Sequence, residues 1–254
     1  MQQFIERVKT GGAKSLRFAW THRSSLTLLL LGVLLPLYGF GELAEDIWEK
    51  EDGFSWDKPL LLFIHAYARP QLDALASALT RLGGFWGVTL MATLIALGLL
   101  MGRRWRRLTF FLIALIGNGL INRVTKGLLQ RVRPQLWESP APEFDYGFPS
   151  GHAMASMGLV AALVVLSWQS RWRWWVVAVG GLFVSTVAWT RLYLGVHYPS
   201  DIAAGWMASV AWVIGVWLVT RPTARHPAEG TERGVLPDQP LPNQQQKCAV
   251  SQDR

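Results

Sequence analysis

Three short clusters carry side chains whose types and spacing suit the handling of an anion. Lys126 stands seven residues before Arg133-Pro134, and two helical turns would put positions 126 and 133 on one face. Pro149-Ser150-Gly151-His152 reads as the start of a helix. Ser150 serves as its N-cap, and Gly151 lets the backbone approach a ligand closely. Such a start presents unpaired N–H groups and the positive end of the helix dipole. The third cluster is Thr190-Arg191, then His197, then Asp201. A histidine and an aspartate four apart across a helix start can hydrogen-bond, and the carboxylate then fixes the imidazole tautomer and stabilises its cation.

Each cluster also has a plainer reading. Boundary cations snorkel to headgroups, Ser150 caps a helix beside an incidental histidine, and Asp201 is a first-turn acid with Ser200 as the cap. Together the clusters supply three cations, a helix N-terminus and two histidines, one of them with a carboxylate partner. Positioning and charge neutralisation by such groups are most of what phosphoryl transfer needs. The residues alone leave open which histidine attacks.

The elements that must hold these clusters are apolar. Of 254 residues 51% are hydrophobic and only 17% charged, which excludes a disordered chain and disfavours an ordinary soluble enzyme. The net charge of +8 sits in short groups between apolar runs, as in Arg103–Arg107 and Arg171–Arg173, so it marks a membrane protein and not a nucleic-acid binder. A single cysteine, Cys248, rules out an intrachain disulfide.

About 20 mostly apolar residues cross a bilayer. Six stretches qualify: about Ser24–Phe40, with a kink expected at Pro36, then Leu82–Met101, Leu108–Leu129, Gly151–Trp168, Trp174–Tyr193 and Ile202–Thr220. The expected fold is therefore all-α, a polytopic bundle of six transmembrane helices with a short interfacial helix at Leu60–Ala68, bounded by Pro59 and Pro70 and carrying His65 in no catalytic role. An acidic loop, 42–57, precedes that helix, and Asp73–Arg81 is an amphipathic lead-in to the second span. The third span is unusual in carrying Asn118, Asn122, Arg123 and Lys126. The domain reading is a cytoplasmic segment 1–23, a catalytic region 24–221 and a disordered cytoplasmic tail 222–254.

The positive-inside rule puts the cationic loops and both termini in the cytoplasm. The three clusters then share the outward face at one depth. There Arg123, Lys126, Arg131 and Arg133 break the chain's own charge pattern, as if to hold an anion. Charged groups cost about 2.5–3.5 kcal/mol each at the bilayer midplane, so their gathering is a functional signal.

The three clusters resemble the signature of the type 2 phosphatidic acid phosphatase (PAP2) superfamily, K-x6-RP, PSGH and SR-x5-H-x3-D. Here they read Lys126-GLLQRV-Arg133-Pro134, Pro149-Ser150-Gly151-His152 and Thr190-Arg191-LYLGV-His197-YPS-Asp201, in the family's order and spacing across roughly residues 80–220. Thr190 replaces the usual serine and keeps the hydroxyl. The resemblance implies a nucleophile at His197 forming a phosphohistidine, with Asp201 orienting it and His152 as general acid and then base. Lys126, Arg133, Ser150, Gly151 and Arg191 would hold the phosphate, with no metal and no cofactor.

It further implies a lipid phosphatase of the bacterial inner membrane with its site on the periplasmic or extracellular face. The partners are the bilayer and a membrane lipid phosphate: phosphatidate, phosphatidylglycerophosphate, diacylglycerol pyrophosphate or undecaprenyl pyrophosphate. The alternative within this chemistry is a phosphotransferase passing the phosphoryl group to a second lipid. A channel or transporter is disfavoured because the polar residues gather at one face, and vanadate-dependent halide oxidation because of the six spans.

Overall fold

A computed structural model describes residues 23–49 and 54–221, and every regular element among them is helical. The expectations for segment 1–23 lie, apart from Arg23, outside the described residues, as do those for tail 222–254. In chain order the elements are α1 (Arg23–Leu29), a π-helical turn (Leu30–Leu34), α2 (Leu35–Glu49), α3 (Asp57–His65), α4 (Pro70–Gly83), α5 (Phe85–Met101), α6 (Trp105–Leu129), α7 (Gly151–Ser167), α8 (Arg173–Tyr193) and α9 (Pro199–Thr220).

Four helical stretches are long and apolar enough to cross a membrane: Ser25–Glu49, Trp105–Leu129, Arg173–Tyr193 and Pro199–Thr220. The pair α4–α5 qualifies as a fifth when counted as one span bent by 43°. The apolar helix α7 has 17 residues. Large apolar side chains such as Leu90, Leu94, Ile116, Leu120, Leu182 and Val219 stay exposed on the outer faces, as a lipid-facing surface requires.

Three expectations need correction. The acidic stretch is not all loop, because the first helix continues through Glu42, Glu45 and Asp46 to Glu49. Glu is a good helix former, and a helix already nucleated by an apolar run extends at little cost. Pro59 does not bound the interfacial segment. It sits in the first turn of α3, where its missing N–H has no helical partner to lose. The amphipathic lead-in is a helix of its own, α4, started by Pro70 and ended at Gly84, whose extended backbone makes the bend into α5.

The core lies between α6, α7 and α9, where Phe110, Phe111, Ala114, Leu159, Ala162 and Val213 are buried together. Small residues allow the helices to approach closely. A β-carbon on Gly117 would stand 2.2 Å from the Trp212 ring, whose indole donates to the Ala114 carbonyl at 3.0 Å. Asn118, polar inside an apolar helix, ties the three helices together. Its Nδ2 donates to the Met154 carbonyl at 2.7 Å, and its Oδ1 accepts from Ser209 at 3.0 Å. That role is architectural, since it satisfies buried polar groups within the bundle.

Candidate active site

One end of the bundle gathers the three clusters. Helix α6 stops at Leu129 because Gln130 turns left-handed, with φ 45°. The chain then reverses, so Lys126 and Arg133 meet through a shared partner, the Asp145 carboxylate, and not as two positions on one helical face. Arg123 is exposed, and Arg131 turns to the far side of Asp201, so the four cations do not form the single anion-holding group their crowding suggests.

Ser150 caps α7 as expected, accepting from the Ala153 amide at 3.4 Å. Its own N–H donates to the Asp201 carbonyl at 3.1 Å, which joins the start of α7 to the start of α9. Asn122, one turn before Lys126, holds the loop ahead of α7 by donating to the Pro149 carbonyl at 3.0 Å. A β-carbon on Gly151 would come within 3.3 Å of the Asn122 oxygen, so a small residue is favoured there.

Tyr193, Leu194 and Val196 bury the turn between α8 and α9. Gly195 bends it at φ 67°, and a β-carbon there would meet the Trp137 ring at 2.5 Å. Trp137 in turn stacks on His65 at 3.9 Å, a packing role for that histidine. Thr190 donates back to the Val187 carbonyl at 2.7 Å and is fully buried, so its hydroxyl serves the helix whichever of Ser or Thr supplies it.

The turn delivers His197, fully buried, with Nδ1 3.3 Å from Asp201 Oδ2 and Nε2 2.8 Å from Arg133 Nη1. An arginine can only donate, so Nε2 accepts and Nδ1 carries the proton toward Asp201. The nitrogen facing the cluster of cations is thus the unprotonated one, its lone pair held by Arg133. Burial, followed by the Arg133 and Arg191 charges, keeps the imidazole well below its usual range, hence neutral at pH 7.

Arg191, almost fully buried, donates to Thr80 on α4 at 2.7 Å. Its Nε has no hydrogen-bond partner among the described residues. A buried donor of this kind, beside Arg133 and two histidines, suits an oxyanion.

The centre of the cluster is held by a carboxylate that the sequence reading passed over. Glu143 Oε1 lies 2.5 Å from Arg191 Nη2, and Oε2 lies 2.7 Å from Arg133 Nη2. The same group is 3.7 Å from His152 Nδ1 and 3.8 Å from His197 Nε2. Burial works against its charge. Arg191, His197, Arg133 and His152 together outweigh that and hold its carboxyl below the ordinary range. Asp145 is likewise opposed by burial, yet its hydrogen bonds to Lys126 and Arg133 bring it down to about 2. Glu143 and Asp145 therefore stand where a phosphate would meet the same cations. Nothing in their local sequence marks them, because acids in a Pro-rich loop read as solvated surface.

Replacing Glu143 by glutamine is expected to tighten inhibition by inorganic phosphate about tenfold. Removing the internal competitor raises the fraction of sites open to an anion. Phosphate inhibition constants for the two proteins check this, and equal constants would show that Glu143 does not compete.

The PAP2 superfamily model matches residues 107–225, which contain all three clusters. The lipid A 4'-phosphatase of Bacteroides thetaiotaomicron is 32% identical over 177 residues, covering 64% of this chain and 74% of that protein. The chain belongs to the PAP2 superfamily. A second PAP2 relative, the phosphatidylglycerophosphatase B of Bacillus subtilis, is 28% identical over 145 residues, 54% of this chain and 70% of that protein. The crystal structure of the transmembrane PAP2 type phosphatidylglycerolphosphate phosphatase from Bacillus subtilis matches with a TM-score of 0.68 at 23% identity. It covers 76% of this chain and 97% of the other, so the chain has the membrane PAP2 fold.

Proposed function

We propose that this protein is a membrane lipid phosphatase that hydrolyses the phosphomonoester or pyrophosphate of a lipid through a phosphohistidine on His197. The observation that carries this reading is the His197 ring: Nδ1 faces Asp201 and Nε2 opens onto Arg133 and the Glu143-filled centre. In the reaction, substrate phosphate displaces Glu143 and takes up Lys126, Arg133, Arg191, Ser150 and the amides of Gly151 and His152. Nε2 attacks phosphorus, the N–P bond forms, and the P–O bond to the lipid breaks as His152 gives its proton to the leaving oxygen. His152 then takes a proton from water, whose oxygen attacks phosphorus, and the N–P bond breaks to release inorganic phosphate.

Asp201 stabilises the cationic ring throughout. The relatives' names support lipid phosphates as the substrate class, with lipid A, phosphatidylglycerophosphate and undecaprenyl diphosphate among them. The undecaprenyl-diphosphatase of Sulfolobus acidocaldarius is 31% identical over 114 residues, and this chain spans about half its length.

The bent α4–α5 pair and the 17-residue α7 complete six spans in this reading, with α3 at the interface. The cationic loops lie in the cytoplasm and the site faces outward from a bacterial inner membrane. The deciding experiment measures phosphate release by detergent-purified protein in EDTA from phosphatidate, phosphatidylglycerophosphate, diacylglycerol pyrophosphate and undecaprenyl pyrophosphate. EDTA-resistant release from one of them is expected. Release that appears only when an acceptor lipid becomes phosphorylated would favour the phosphotransferase instead.

A further inference from the structure

Behind the nucleophile lies a second layer of buried charge that the reaction above does not use. Asp57, in the first turn of α3, is fully buried although it belongs to a stretch of acids that reads as surface. Its Oδ1 accepts from the Ser200 amide at 3.0 Å, and its Oδ2 accepts from the Ser200 hydroxyl at 2.5 Å and from Arg131 Nη2 at 2.8 Å. Arg131 Nη1 donates to Ser200 Oγ at 2.7 Å and to Asp201 Oδ1. Its guanidinium also lies 4.4 Å from the centre of the Tyr198 ring. Ser200 is therefore no helix cap. Its hydroxyl is a junction between Asp57 and Arg131.

We propose that Asp57, Arg131 and Ser200 are positioning residues for the nucleophile, acting through Asp201. The physical case is one of alternating charge. Asp201 must stay ionised and face His197 Nδ1 with one oxygen while buried. Arg131 holds its other oxygen, which fixes the carboxylate plane. An arginine buried with Asp201 alone would cancel that carboxylate's charge, where Arg133 and Arg191 already oppose the imidazolium. Asp57, paired with the same arginine, restores it. The series Asp57, Arg131, Asp201, His197 thus delivers a single carboxylate's worth of stabilisation to the ring as it becomes cationic on attack. It also joins α3 to the start of α9.

This inference rests on the phosphatase reading, with His197 as the attacking group. The test is Asp57→Asn in the full-length protein. On the lipid the wild type hydrolyses best, kcat is expected to fall about 10- to 100-fold, as for other residues that orient a catalytic group from behind. KM and the inhibition constant of inorganic phosphate should stay within about threefold, because Asp57 touches none of the phosphate-holding groups. The ring faces Arg133 and Glu143 from the loop, Arg191 from α8, Asp201 from α9 and Lys126 from α6. With Asp57 neutralised, positive charge there gains, so the acid limb of kcat/KM should move to lower pH. A site merely loosened and opened to water would move it the other way.

The Nδ1 proton resonance of His197 should shift upfield as its bond to Asp201 weakens. Ser200→Ala removes only the junction hydroxyl, is expected to lose activity in the same direction, and is the variant to read if Asp57→Asn fails to fold. Wild-type kcat and an unmoved resonance overturn the proposal. So does a loss in which phosphate inhibition and thermal stability fall together, since that identifies a fold clamp. If the unmodified protein cleaves no lipid, the phosphatase reading fails by itself, and the resonance alone then decides for or against the positioning role.

Discussion

His197→Ala is expected to lower phosphate release by ~10⁴-fold or more, the scale on which loss of a nucleophile outweighs all positioning that survives it. The geometry explains why no neighbour can substitute. His152 is the other histidine at the centre, and its Nδ1 faces Glu143 at 3.7 Å. The carboxylate that orients a ring, Asp201, lies 3.3 Å from His197 Nδ1. The variant should also yield no acid-labile phosphoenzyme when a single turnover is quenched in base. Because His197 is fully buried, its removal leaves a cavity and exposes Arg133 and Asp201 to each other's fields. Expression and thermal stability are therefore measured alongside. A well-folded variant that keeps more than about a hundredth of the activity would place the nucleophile elsewhere.

Arg191→Ala is the second large effect, a loss of about 10²- to 10³-fold in kcat/KM, the usual cost of removing one preorganised donor from a developing oxyanion. Two features set it above an ordinary cation. Arg191 is 1% exposed, so its charge acts with little screening, and its Nε has no hydrogen-bond partner among the described residues. Thr80 on α4 aims the guanidinium from behind at 2.7 Å. Lysine at 191 should not restore activity, because a point charge on a flexible stem can replace neither the Thr80 bond nor the second donor. Steady-state kinetics on Arg191→Ala and Arg191→Lys check both statements. Near-normal activity in either variant would remove Arg191 from the phosphate cradle.

The parts of this site that were legible in the sequence are those held by short-range spacing. His197 and Asp201 are four apart, Ser150 caps the helix that begins beside it, and Arg191 ends the helix whose next turn carries His197. Each relation survives translation into structure because a helix start or a tight turn fixes it locally. Asn118 and Asn122 were visible as oddities in an apolar span, and packing turned them into bundle ties and loop anchors.

What stayed hidden depends on long-range closure. Asp57 meets Ser200 across 143 positions and Arg131 across 74, and Thr80 meets Arg191 across 111. No periodicity encodes such meetings. A carboxylate among other acids looks solvated until the chain path buries it. Lys126 and Arg133 show the converse, where the spacing pointed to a shared helical face and the two side chains in fact met after α6 had ended. The all-helical, membrane-crossing character followed from hydropathy, while the bend at Gly84 needed the packing of α4 against α8 to be seen.

Glu143 also bears on which anions reach the chemistry. An internal carboxylate weakens every visiting anion by the same factor, whether it arrives from bulk water or within the lipid leaflet. A lipid headgroup, however, is confined to a thin layer against the protein, and confinement raises its effective concentration in the way a tether does. The uniform penalty therefore falls hardest on dilute, freely diffusing anions. On the proposed mechanism, the returning carboxylate would also help to expel the inorganic phosphate made in each cycle. With its cations answered by its own acids, such a site would act as a filter that selects by dimensionality, favouring what travels in the membrane over what travels in solution.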